Sequence, residues 1–273
     1  MSFPPWSYFV GSAVFHYLGP SFAVLLFSRV GPLGVAGLRI WSAVLVFVLW
    51  RRPWRRFSRD GWRTIVVWGA VLAVMNSSFY MAIARLPLAT VAAIEFLPVI
   101  GLAALGVRSA RNFVALAAAV GGVYVLTDVR LEGEPLGFVF AFANAGLFAL
   151  YVVVAHRAAQ SDAGGIDGLA MAMVAATVFV LPLGGVQAAT VLTDPVALAA
   201  GIGVGISSSV IPYVCDQLAM ARLSRATYAL MVALLPATAT VIGLVVLRQV
   251  PTGAELAGVG LVIAAVAMHR GER

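Results

Sequence analysis

Apolar runs of membrane-crossing length, separated by short arginine-bearing loops, follow one another from end to end of this 273-residue chain. A helix needs about 20 consecutive apolar residues to cross the hydrocarbon core of a bilayer. Turn and charge signals divide the chain into ten such runs, at 7–27, 33–50, 64–84, 88–107, 112–127, 136–156, 169–188, 197–220, 226–247 and 253–269. Hydrophobic residues make up 62% of the sequence and charged residues 11%, far from the usage of a soluble domain. The fold class expected is an all-α integral membrane protein with ten transmembrane helices. The fifth run is short, which snorkelling or local thinning of the bilayer accommodates.

Several function classes fall away at this level. The net charge of +7 raises the question of nucleic acid, but all eighteen basic residues are arginines placed mostly between apolar spans rather than on one basic face. A nucleic-acid partner is therefore not expected, and the lipid bilayer is. The only cysteine is Cys215, so no disulfide within the chain is possible. Residues 1–6 carry no positive charge ahead of the first apolar run, so that run is expected to remain as a span. No CxxC, GxGxxG or paired-aspartate signature is present, and neither a cofactor nor a bound metal is expected.

Orientation follows from the loops. With the N-terminus inside, the cytoplasmic side receives Arg51, Arg52, Arg55, Arg56, Arg59, Arg63, Arg108, Arg111, Arg157, Arg222, Arg225, Arg270 and Arg273. The other side receives Arg29, Arg85, Arg130 and Arg248. The positive-inside rule then places both termini in the cytoplasm.

The chain also repeats itself. Ala84-Arg85-Leu86-Pro87-Leu88-Ala89-Thr90 returns as Ala221-Arg222-Leu223-Ser224-Arg225-Ala226-Thr227, and an apolar run broken by Pro98 or Pro236 follows each copy. Five runs lie in each half, so residues 1–130 and 131–273 are expected to be two copies of a five-helix unit. An odd number of spans makes the second copy start on the opposite side from the first. That is an inverted repeat, an architecture that places a binding site near the midplane.

Polar residues inside the spans carry the functional argument, because each costs energy that an apolar residue would not. Glu95, in Ala92-Ala93-Ile94-Glu95-Phe96-Leu97-Pro98, is the foremost. It can carry a proton, receive a substrate ammonium, or hydrogen-bond to a neighbouring helix. Asp216 is a second buried acid, close enough to Arg222 for an ion pair to be the alternative. Tyr213 with Gln217, and Asn76 with Tyr80, each stand four apart and share a helix face. Asn144 and Tyr151, seven apart, line one face of the sixth span. His16 in the first span can bind, shuttle protons or donate one hydrogen bond. Arg39 either snorkels outward or counters a buried acid. The glycine pairs Gly201/Gly205, Gly121/Gly122 and Gly258/Gly260 read as close helix packing.

These features together resemble the drug/metabolite transporter superfamily, specifically its ten-span EamA-type exporters and the inner-membrane threonine and homoserine exporter group. The resemblance rests on Gly31-Pro32-Leu33-Gly34-Val35 with Leu38-Arg39, on Met75-Asn76 through Phe79-Tyr80, and on Leu86-Pro87-Leu88 leading to Ile94-Glu95-Phe96. Tyr151 with Arg157, and Pro212-Tyr213 with Asp216 ahead of Ala221-Arg222-Leu223, complete it. Relatives often have an acid before the proline of the ninth span, where Leu234-Leu235-Pro236 stands here, and a Gly-Glu pair at its end, where Arg248-Gln249 stands. The resemblance implies two inverted five-helix halves around a central cavity, and efflux of small metabolites such as amino acids driven by proton exchange. Glu95 would alternate between a proton and the substrate ammonium, while Asn76, Tyr80 and Tyr213 hold the substrate's polar end. A carrier of another solute (a nucleoside, a lipid precursor or a cationic drug) running without protons is the alternative within transport, and a membrane enzyme is the alternative outside it.

Overall fold

In hydrocarbon a peptide N–H or C=O has no water to bond, so each apolar run satisfies its backbone internally by forming a helix. The computed structural model describes residues 5–54, 57–95, 97–98, 110–128, 134–159, 161–220 and 235–268. They form α1 (Pro5–Val30), α2 (Pro32–Arg51), α3 (Arg59–Ile83), α4 (Leu88–Glu95), α5 (Ala110–Asp128), α6 (Pro135–Ala159), α7 (Gly165–Ala189), α8, α9 (Leu235–Leu247) and α10 (Gly253–Met268). The α8 rod is α-helical over Pro195–Gly205, a π-turn over Ile206–Val210, and α-helical again over Ile211–Met220. Six helices are long and apolar enough to span a bilayer unaided, and no strand occurs among the described residues. Most of the expected spans are found within a few residues of where the sequence puts them. The fourth is described only over 88–95 and 97–98, and the ninth only from 235. The second copy of the repeated phrase, at 221–227, lies outside the described residues.

Short connections hold the helix ends in register. One residue, Gly31, turns α1 into α2; its φ of 78° lies in the left-handed region, and Pro32 then opens α2. A Cβ at Gly31 would also stand 2.7 Å from Oε1 of Gln187, the atom that accepts the Gly34 N–H at 3.0 Å and ties this turn to the end of α7. Asp194 caps α8 by accepting from the N–H groups of Val196 and Ala197, and Arg29 reaches it at 3.0 Å. The Ala197 N–H in particular holds its carboxyl below the usual carboxylate value, with Arg29 adding to the effect. Thr252 and Glu255 form a reciprocal capping box at the start of α10. Gln249, at one of the positions that departs from the related exporters, accepts the Leu88 N–H and so caps α4.

The bundle is held by close crossings. α2 packs on α7, α3 on α6 and α7, α1 on α8 and α9, α2 on α8, α4 on α6 and α9, and α5 on α10. Glycine permits the tightest of these approaches. A Cβ at Gly184 would overlap the Leu33 carbonyl, one at Gly122 would meet the Gly258 carbonyl at 2.7 Å, and one at Gly205 the Arg39 carbonyl at 2.8 Å. The expected role of Gly201 and Gly205 therefore holds, as it does for Gly122 and Gly258. Gly121 and Gly260, by contrast, face open space. The outer surface carries exposed Leu25, Leu45, Leu49, Phe113, Val178, Val186 and Val245, an apolar exterior suited to lipid.

At Gly69 of α3 a Cβ would stand 2.6 Å from both the Ala172 carbonyl and the Ala175 Cβ of α7. We expect Gly69→Leu to lower stability by about 1–3 kcal/mol or more through overpacking, while Gly146→Ala, with nothing within 4 Å, leaves it unchanged or slightly raised. Thermal unfolding of the detergent-solubilised proteins checks both. Equal behaviour of the two variants would contradict the crossing.

Candidate functional site

Arg39 stands seven residues into α2 and Glu95 seven residues into α4, counted from helix ends on the same face of the bundle. At 1.5 Å per residue both lie roughly 10 Å inside. Both are buried, with 4% of their surface exposed, and both line one small cavity with His16, Met75, Asn76, Phe79, Asn144, Phe148, Tyr151 and Tyr213. Six helices contribute, namely α1, α2, α3, α4, α6 and α8.

The guanidinium of Arg39 is anchored away from the lipid. Its Nε donates to Ser209 Oγ at 2.8 Å and its Nη2 to the Ser208 carbonyl at 2.7 Å, both on the π-turn of α8. A π-turn bonds each carbonyl to an N–H five residues on instead of four, as Ile206 does with Ile211, and the local widening offers a carbonyl to a side chain. Beneath the guanidinium lies the Tyr80 ring, its centroid 5.7 Å from Cζ, which adds a cation–π contact. Of the two roles the sequence leaves open for Arg39, outward snorkelling is thus not the one adopted. No carboxylate among the described residues stands within salt-bridge distance of it.

Glu95 is held differently. Its Oε1 accepts from Asn144 Nδ2 at 3.0 Å, while Oε2 is buried without a hydrogen-bond partner among the described residues, as is Oδ1 of Asn144. Two buried acceptors, one on each of two bonded side chains, thus remain without a partner among the described residues. Towards the other face of the bundle the cavity is bounded by aromatic rings. Tyr151 stacks on Phe148 at 6.0 Å and on Tyr213 at 6.4 Å.

Of the residues singled out in the sequence, Glu95, Asn76, Asn144, Tyr151, Tyr213 and His16 are brought to this cavity. Asn76 spends its Nδ2 on the Leu72 carbonyl of its own helix. Tyr80 is fully buried under Arg39 rather than lining the cavity, so the Asn76/Tyr80 pair does not act as one face. The side chains of Asp216 and Gln217 lie outside the described residues. Sequence reasoning missed Phe148, which carries no signal in an apolar run, and used Met75 and Phe79 only for the family resemblance. It also gave Ser208 and Ser209 no role, although their place in a serine triplet within a span was a usable hint.

The Asn144–Glu95 bond makes a measurable demand. Asn144→Leu is expected to cost about 1–3 kcal/mol in a chain with Glu95, by stripping a buried carboxyl of its donor, and clearly less in a Glu95→Leu background, which has no acceptor to strip. A double-mutant cycle on thermal stability checks this, and additivity within about 0.5 kcal/mol would show the bond carries no energy.

Comparison with known proteins bears on this arrangement. Residues 135–270 match the EamA-like transporter family. The threonine/homoserine exporter RhtA of Escherichia coli (strain K12) is 30% identical over 251 residues, which cover 90% of this chain and 84% of that protein. The protein of the same name from Salmonella typhimurium (strain LT2) matches to the same extent. A solved crystal structure of another protein shares the fold over 97% of this chain and 98% of its own, with a TM-score of 0.62 at 18% identity.

Proposed function

Since the chain belongs to the EamA-like transporter family, we propose that it exports small amino acids of the threonine and homoserine kind across the inner membrane, coupled to inward movement of protons. The observation that carries this reading is the buried Glu95, whose Oε2 and neighbouring Asn144 Oδ1 find no donor among the described residues at the wall of an intramembrane cavity. A proton or a substrate ammonium satisfies the same atoms, so the two compete for one place. Similarity to the threonine/homoserine exporters supports the substrate class.

Alternating access needs two conformations of comparable energy, and a ligand shifts them only through different affinity for each. In our reading residues 1–130 and 131–273 are inverted copies, with α1 to α5 equivalent to α6 to α10. The packing supports this. Exchange of each helix with its equivalent turns α3 against α6 into α8 against α1, α3 against α7 into α8 against α2, and α4 against α6 into α9 against α1. The pairs α2 with α7, α4 with α9 and α5 with α10 map onto themselves. Gly69 and Gly205 take equivalent places at tight crossings of the third helix of each half. The arginine distribution supports cytoplasmic termini. Tyr213, Asn76, Tyr151 and His16 would contact the rest of the substrate, with Tyr80 acting from beneath Arg39.

The test uses purified protein in vesicles, with labelled threonine, homoserine and a wider amino-acid panel, with and without a proton gradient. The native chain should show gradient-stimulated transport. In Glu95→Gln the stimulation should vanish while the protein remains folded. Equal stimulation in both proteins would remove Glu95 from proton coupling. Transport of no amino acid would direct attention to another solute.

A further inference from the structure

The cavity has a cation that the reading above leaves unused. Arg39 is fixed by two neutral acceptors, Ser209 Oγ and the Ser208 carbonyl, and its Nη1 donates to none of the described residues. A buried guanidinium with no paired carboxylate is expensive in a membrane. Glu95 shares the cavity and the same depth, yet no salt bridge joins them. Instead Glu95 Oε2 and Asn144 Oδ1 remain as buried acceptors without donors among the described residues. One part of the wall is thus a spare donor on a fixed positive charge, and another a pair of spare acceptors on and beside a carboxyl group.

We propose that Arg39 receives the substrate's carboxylate while Glu95 and Asn144 receive its ammonium group, so that the site selects zwitterionic α-amino acids and discriminates against the corresponding amines. This deepens the amino-acid reading above and rests on it. The planar fork of a guanidinium matches a carboxylate better than a point charge does. Anchoring Nε and Nη2 on the π-turn holds that fork in one orientation, so little rotamer freedom is lost on binding. The π-turn is itself wedged in place. A Cβ at Gly19 of α1 would overlap Ser208, and one at Gly205 would meet Ser42 and the Arg39 carbonyl on α2. The aromatic end, with Tyr151, Phe148 and Tyr213, then faces the amino acid's side chain. Selectivity for the zwitterion and tolerance of the side chain come from different ends of one cavity.

The experiment compares threonine with 1-amino-2-propanol, the amine left when threonine loses its carboxylate, in vesicles containing the native chain, Arg39→Gln or Arg39→Lys. The native chain should prefer threonine. In Arg39→Gln threonine transport should fall about ten- to a hundredfold, the factor that charge-assisted hydrogen bonds supply, while transport of the amine is kept or raised. Arg39→Lys, which keeps the charge but not the fork, should be intermediate, and it carries the test if Arg39→Gln does not fold. An equal loss of both compounds in the folded variants, or no loss of threonine, would overturn the role of Arg39 and leave amino-acid export standing. Native protein that moves neither threonine nor any other amino acid would overturn both.

Discussion

A guanidinium inside a bilayer costs at least about 3 kcal/mol unless its hydrogen bonds are met, and the placement of Arg39 shapes much of this protein. α8 widens into a π-turn over Ile206–Val210, where the Ser208 carbonyl and the Ser209 hydroxyl turn toward α2. That approach demands glycines where α8 crosses α2, at Gly201 and Gly205, and where α1 meets the π-turn, at Gly19. The Tyr80 ring then lies under the charge. A single polar residue in the second span thereby fixes the spacing of four helices.

Much of the architecture was legible in the sequence because hydrocarbon leaves so few alternatives. Long apolar runs with loop arginines imply helices, and Gly31-Pro32 falls in the break between the first two runs, where the structure turns on a left-handed glycine. Glu95, Asn144, Tyr151, Tyr213, Asn76 and His16 stood out for the same reason, since a polar side chain within a span needs a cause. Their convergence depends on which helix packs on which, and that is written in glycines and small residues rather than in polarity. Gly122 and Gly121 are adjacent in sequence, yet only the first meets a partner helix. The π-turn was not legible, because Ser207-Ser208-Ser209 is as compatible with α-helix as with a wider turn. Arg39 was therefore visible as an anomaly with two open roles, neither of which names its anchor on α8.

The site's character follows from two charges kept apart. Were Arg39 and Glu95 directly paired, the bundle would gain a closed ion pair and little room for a solute. Anchoring the cation on α8 and the acid on α6 leaves each with bonding capacity directed into the cavity. These anchors belong to opposite halves of the chain from the residues they hold, since α2 and α4 lie in the first and α6 and α8 in the second. Movement of one half against the other would change the relation between charge and anchor, which is what coupling of a ligand to a conformational change requires.

The central claim is that this cavity is where the solute resides on its way across the membrane. Its most direct test places a cysteine at Phe148, on the cavity wall, in a chain whose Cys215 has been replaced by serine, and measures labelling by a membrane-impermeant thiol reagent applied from each side of the bilayer in turn. The account predicts labelling from both sides and slower labelling in the presence of threonine. Labelling from neither side, or labelling that no amino acid slows, would contradict it.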